Sequence, residues 1–124
     1  MVIIGVNHAM VGSSVYSALA INSLNRLMGI GGPSDVDYEG SASYYMGGVD
    51  ISRYLYAYII TRDCSDKGPF CFEVPSSGDL SIDPNNDALL IIERVYLNPK
   101  TLLGMYTPEI INPVMIHYSP QKSS

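Results

Sequence analysis

Between Ser52 and Arg62 the chain alternates residue by residue. Arg53, Leu55, Ala57, Ile59 and Thr61 fall on one face of an extended strand, and Tyr54, Tyr56, Tyr58, Ile60 and Arg62 on the other. A strand of that length must find partners. The run leads straight into Asp63-Cys64-Ser65-Asp66-Lys67-Gly68-Pro69-Phe70-Cys71, a stretch of turn formers with a further apolar run, Phe70–Val74, behind it. The pattern predicts a β-hairpin closed by a Cys64–Cys71 disulfide, because facing Cα atoms of paired strands lie about 4.5–5.5 Å apart, inside the disulfide window. Two free buried thiols are the alternative. The spacing is not that of a redox C-x-x-C pair, and no other cysteine is present to complete a zinc set. A disulfide implies an oxidising compartment, so a secreted or periplasmic location is expected.

The other elements are read around this strand. Val2–Val6 is a short apolar strand ending at Asn7-His8. Ser13 or Ser14 can cap a helix along which Val15, Leu19, Leu24, Leu27 and Met28 recur at roughly helical spacing, stopped by Gly29, Gly31, Gly32 and Pro33. Tyr16, Ala18 and Ala20 compete with that reading, since they also alternate as a strand would. Residues 33–50 read as loop with a helical turn near Ser43–Met46. Leu89–Leu97 is apolar on both faces in its first half and is expected to be central in a sheet. Pro113–Tyr118 is a final strand. Pro75, Pro84, Pro99, Pro108, Pro113 and Pro120 fall between these runs or at their ends, and Gln121–Ser124 read as a frayed tail. The expected architecture is α+β, a single domain over residues 1–124 with one N-terminal helix and a mainly antiparallel sheet of about five strands. If the helix fails, an all-β sandwich or small barrel takes its place.

Composition narrows the partners. A chain of 124 residues with 47% hydrophobic and 15% charged residues can bury a core and is not of disordered type. Its seven basic residues are scattered in a chain of net charge −5, which argues against nucleic acid and against an anionic membrane surface. No apolar run reaches the roughly 18 residues of a membrane span. The first residues lack the basic region and cleavage site of an intact signal peptide.

Five groups of residues could carry chemistry. Tyr54, Tyr56 and Tyr58 share one strand face and, if exposed, form a flat aromatic binding platform; if covered, they are core. Asp35, Asp37 and Glu39, and again Asp83, Asn85 and Asp87, alternate like the start of a calcium loop. The twelfth position, which needs a bidentate Glu, holds Met46 in the first loop and Arg94 in the second, so turn formation competes with calcium at both. His8 and His117 end the first and last strands and could share a site if those strands are neighbours, with a carboxylate completing a metal set or with Tyr118, Arg53 or Glu93 polarising a substrate oxygen. Glu93, in an otherwise apolar strand, needs a counter-charge, with Arg53 and Arg62 the available cations. Ser13 and Ser14 lack the nucleophile-elbow pattern and read as caps.

Three functions follow. The first is an extracytoplasmic disulfide-containing domain that binds a protein partner, or self-associates as a homo-oligomer, through a tyrosine-rich sheet face. The second is a small enzyme or ligand-binding barrel with a Tyr/His-lined pocket. The third is a calcium-stabilised surface module; no other cofactor is expected.

Overall fold

The computed structural model describes residues 1–118; Pro120 and the tail Gln121–Ser124 lie outside them. The chain is sheet-rich, with two sheets rather than one. Seven strands, β1 (Val2–Val6), β2 (Tyr16–Ser23), β3 (Met28–Gly31), β4 (Leu55–Thr61), β5 (Cys71–Glu73), β6 (Leu89–Tyr96) and β7 (Val114–Ile116), accompany one short helix, α1 (Ser41–Met46). One sheet runs β5-β4-β1-β7 and the other β3-β2-β6. Both feed a single buried cluster: Ile3 from β1, Leu19 and Ile21 from β2, Ile30 from β3, and Tyr56, Tyr58 and Ile60 from β4. The helical turn expected near Ser43–Met46 is α1, which packs against β4, where Ser41 Oγ accepts the Ala57 N–H (3.0 Å).

The period-two run is β4, and it sits inside its sheet with β1 on one side and β5 on the other. Its register with β1 sets Ile3 opposite Tyr58 and Gly5 opposite Tyr56. The Tyr56 ring lies across the Gly5 backbone: a Cβ at Gly5 would come within 2.6 Å of Tyr56 Cζ. Only glycine lets the ring lie there.

The expected N-terminal helix is absent; residues 16–31 form the β2–β3 hairpin. Of the apolar residues at helical spacing Leu19 alone is core; Val15 at 52%, Leu24 at 45% and Leu27 at 85% are exposed, with Leu27 taking a left-handed φ of 51° in the turn. The buried face of β2 is Ser17, Leu19, Ile21 and Ser23. Two of those four are serines, so no apolar alternation shows in the sequence. Each serine is satisfied from far along the chain: Ser17 Oγ lies 2.5 Å from Tyr38 OH, and Ser23 Oγ donates to Asp87 Oδ2 (2.7 Å). Burial of a hydroxyl is tolerated when it is bonded in this way.

The Cys64–Cys71 disulfide is present, with Cα atoms 5.9 Å apart, but the hairpin around it is not. β5 pairs parallel to β4, with Ile59 opposite Cys71 and Thr61 opposite Glu73. Residues 62–70 therefore turn back along β4 before β5 begins, helped by a turn in which Lys67 N–H donates to Cys64 O (3.1 Å). The bond ties the two ends of this returning loop. A disulfide needs only proximity, and both a hairpin and a returning loop supply it.

The third correction concerns β6. Expected to be central, it is an edge strand, paired with β2 on one side only.

Candidate functional site

The direction of the backbone groups on β6 follows from those on β2. Leu19 N–H donates to Pro33 O (2.9 Å) and Ser17 O accepts from Asp35 N–H (2.8 Å), so the odd-numbered residues of β2 turn away from β6. Leu24 N–H in turn donates to Ala88 O (2.8 Å), as the even-numbered ladder requires. Ser17 stands opposite Val95, Leu19 opposite Glu93 and Ile21 opposite Ile91. In an antiparallel ladder residues alternate between the two sides. The N–H and C=O groups of Leu89, Ile91, Glu93 and Val95 therefore point away from β2, and among the described residues no strand takes them up.

What lies beyond that edge is a groove of about 750 Å³, lined by Ile91–Tyr96 on one wall and by Ile110, Asn112 and Pro113, the lead-in to β7, on the other. The edge of one sheet and the segment that leads into the edge strand of the other thus flank one open seam. The apolar residues around it are only partly covered. Leu90 and Ile92 (38% exposed) stand on the outer face of β6, with Tyr96 against Tyr16 at a ring separation of 5.3 Å. On β7, Met115 shares the inward side with its register partner Ile3, yet it is 53% exposed while Ile3 is buried.

Glu93 supplies the polar floor. Its Oε1 accepts a hydrogen bond from Tyr56 OH (3.0 Å); the Tyr56 ring lies 4.4 Å from that of Tyr38, whose hydroxyl meets Ser17. Burial raises the Glu93 pKa above the ordinary carboxylate value, and the Tyr56 hydrogen bond offsets part of the rise. Burial also pushes the Tyr56 hydroxyl well up, with the adjacent Glu93 charge adding to it, so Tyr56 stays a neutral donor. The counter-cation expected for Glu93 is not there. Arg53 stacks over the Tyr54 ring at 4.5 Å and reaches the Tyr54 hydroxyl, and Arg62 donates to Pro75 O (3.2 Å). A neutral phenol takes the place of an ion pair.

Of the residues singled out from sequence only Glu93 and Tyr56 meet here, and not in the roles expected of them. Tyr56 and Tyr58 are core residues, 0% and 8% exposed, and Tyr54 closes a 3-10 turn, Asp50–Tyr54, ahead of β4. The three tyrosines form no platform. His8 and His117 end neighbouring strands, as anticipated, but β1 and β7 run antiparallel, with Val2 opposite Ile116. The histidines therefore lie past opposite ends of the pair. His8 is buried, its Nδ1 3.3 Å from Ser13 Oγ and its Nε2 without a hydrogen-bond partner among the described residues; burial lowers its pKa. Tyr118, after β7, is exposed. Ser13 and Ser14 cap no helix; their hydroxyls donate to His8 O and Tyr16 O.

The acidic loops are built as turns. Asp35 Oδ1 accepts Ser17 N–H (3.2 Å), and Asp37 Oδ2 accepts both Ser34 N–H and Ser34 Oγ–H. Glu39 makes no side-chain hydrogen bond among the described residues. Asp83 accepts Asn85 N–H and the Asn86 amide, while Asp87 binds Ser23 and faces Arg26 Nε at 3.7 Å. Among the described residues no three His, Cys, Asp or Glu side chains are grouped as a metal site.

Sequence reasoning missed the part played by Tyr38, Ser17, Asn112 and Pro113. The one available signal was Glu93 itself, an acid inside an apolar strand. No family model, curated protein or solved structure matches this chain.

Proposed function

We propose that this is a protein-binding domain whose seam accepts an extended segment of a partner as an additional strand beside β6. The observation that carries the reading is the free edge: outward N–H and C=O groups at Leu89, Ile91, Glu93 and Val95, flanked by half-covered apolar side chains. Exposed apolar edges are what strand addition uses, with main-chain bonds giving affinity and side-chain pockets giving specificity. This moves the binding surface from the tyrosine row of β4 to the edge of β6, where Tyr16 and Tyr96 are the aromatic contributors. The Cys64–Cys71 disulfide and the lack, among the described residues, of a helix long and apolar enough to cross a membrane are compatible with work outside the cell.

The probe is a synthetic alternating Thr/Val peptide as long as β6, offered to the chain at a concentration low enough to keep it monomeric and followed by hydrogen exchange. Binding should slow the amides of Ile91, Glu93 and Val95. Val95→Pro, which replaces an outward N–H by a ring that bars the incoming strand, should abolish it while leaving the β2 ladder intact. Protection elsewhere, or none, refutes the reading.

A second reading, acid–base chemistry in the groove, is favoured by the half-buried Glu93 carboxyl and its Tyr56 donor. Neither histidine reaches it, which leaves the Tyr/His pocket without its base. The calcium reading rests on carboxylates of which most already serve as turn acceptors. A rise in melting temperature at millimolar calcium is the observation that would support it.

A further inference from the structure

The free edge of β6 is complementary to itself. We infer that the strand received by the seam is β6 of a second copy of this chain, paired antiparallel about a two-fold axis at Ile92. The inference rests on the strand-accepting reading above and names its partner.

Geometry selects the register. For two copies of one edge to pair, outward-facing residues must meet outward-facing residues, which allows axes that pass through a residue but not between residues. An axis at Glu93 sets two carboxylates directly opposite, and one at Arg94 two guanidinium groups; like charges facing across a ladder are destabilising. An axis at Ile91 shortens the overlap within the strand to Leu89–Glu93. An axis at Ile92 keeps Leu89–Val95 paired, with Ile91 against the partner's Glu93 and Leu89 against the partner's Val95. Every free N–H and C=O then gains a partner. On the outer face Ile92 meets its own copy, and Leu90 lies under the aliphatic stem of the partner's Arg94.

Two further observations point to a second copy. β6 carries no Pro and no Lys, two of the devices by which a solitary edge strand avoids its own kind, and its two charged residues, Glu93 and Arg94, meet apolar partners rather than each other's copies in this register. The molecule also has surface to spare. Its accessible area is 7838 Å² at 13.5 kDa. A compact monomer of that mass exposes only about 6,500 Å². The difference, which includes the area of residues 119–124, leaves room for the ~800 Å² that a standard interface buries on each partner. Part of it lies on the extended segment after β6, which borders the seam.

The test uses the full chain with its disulfide intact, by light scattering over a wide concentration range. The wild type is expected at twice the monomer mass. Ile92→Lys, at an exposed position where two ammonium groups would meet across the axis, is expected at the monomer mass with unchanged circular dichroism. Ile92→Cys is expected to form a covalent dimer under mild oxidation, since residues facing across a non-hydrogen-bonded pair have Cα atoms about 4.5 Å apart. Leu90→Cys, whose counterpart is Arg94, is not. A wild type that stays monomeric at every concentration overturns the inference. The Thr/Val peptide then decides the broader reading separately, since binding to the monomer would leave a different strand donor. A dimer that survives Ile92→Lys and gives no Ile92→Cys cross-link places self-association on another face, and also overturns the inference.

Discussion

β4 and β6 are strands of nearly equal length and similar apolar content, yet they do opposite work. β4 has β1 and β5 along its edges and the second sheet across the core, and α1 is bonded to it at Ala57. Its tyrosines behave as large core side chains, and the hydroxyl of Tyr56 is answered inside the fold by Glu93. β6 has one neighbour, a half-exposed outer face and a free edge. A strand's hydrophobicity states how much it would gain from being covered. Which strand is covered depends on how many neighbours the fold has to give.

The sharpest way to break this contrast is to truncate each strand in turn. Tyr56→Ala should cost roughly 3–5 kcal/mol in urea denaturation, as loss of a large buried aromatic does, and it also strips Glu93 of its donor. If Tyr56→Ala costs under a kilocalorie, β4 is not the core strand described.

Next in size is the loop beside β4. Replacing Cys64 and Cys71 by Ser removes a link between residues seven apart in sequence. The chain-entropy argument gives about 2–3 kcal/mol. Because the bond ties a returning loop rather than paired strands, hydrogen exchange should quicken at Ile59, whose N–H donates to Phe70 O, and at Val74, whose N–H donates to Thr61 O. The β1–β4 ladder should be unaffected.

The pH dependence of stability separates the two regions by sign. Glu93, at the β6 seam, has its pKa raised in the fold, so the folded state binds the proton more tightly. Its contribution is fully present below the unfolded value near 4.5 and is lost as pH rises through the higher folded value. Glu93→Gln, which can still accept from Tyr56, should remove that loss and be the more stable protein at neutral pH. His8, beyond the end of β1, has its pKa lowered by burial. Its contribution is present above 6.5 and is lost as pH falls from there toward the lower folded value. Melting temperatures measured across these windows should therefore slope in opposite senses, and His8→Gln should flatten only the second.

The smallest expected effect is the most diagnostic for β6. Ile92→Thr, at a half-exposed position on its outer face, should change the stability of the isolated monomer by no more than about 0.5 kcal/mol. A cost as large as that of Tyr56→Ala in the monomer would show that this face is already covered within one chain.

Much of the strand content was legible. The alternation of Leu55–Thr61, the apolar run of Leu89–Tyr96 and the prolines between elements each mark local structure, because side-chain period and the missing proline N–H act within a few residues. The buried face of β2 was not legible, because two of its four positions are serines made apolar-compatible by Tyr38 and Asp87. At the candidate site, Glu93 stood out as an anomaly and Tyr56 as one of a tyrosine row, but their pairing did not show. A carboxylate in an apolar strand suggests a cation, and a buried phenol from β4 leaves no mark at the position where it arrives.

The sequence alone made a Cys64–Cys71 bond the expectation over two free thiols, and marked β1, β4 and β6 as strands of a sheet-rich chain. These follow from spacing and period, which are local. Only the tertiary structure decided that β5 runs parallel to β4, that the Tyr56 ring belongs over Gly5, that His8 and His117 part company, and that β6 is left at an edge. Each of those depends on which distant strand becomes a neighbour and in which direction it runs. A disulfide, a hydrophobic run or a pair of terminal histidines is compatible with either direction, so the pairing of whole strands had to choose.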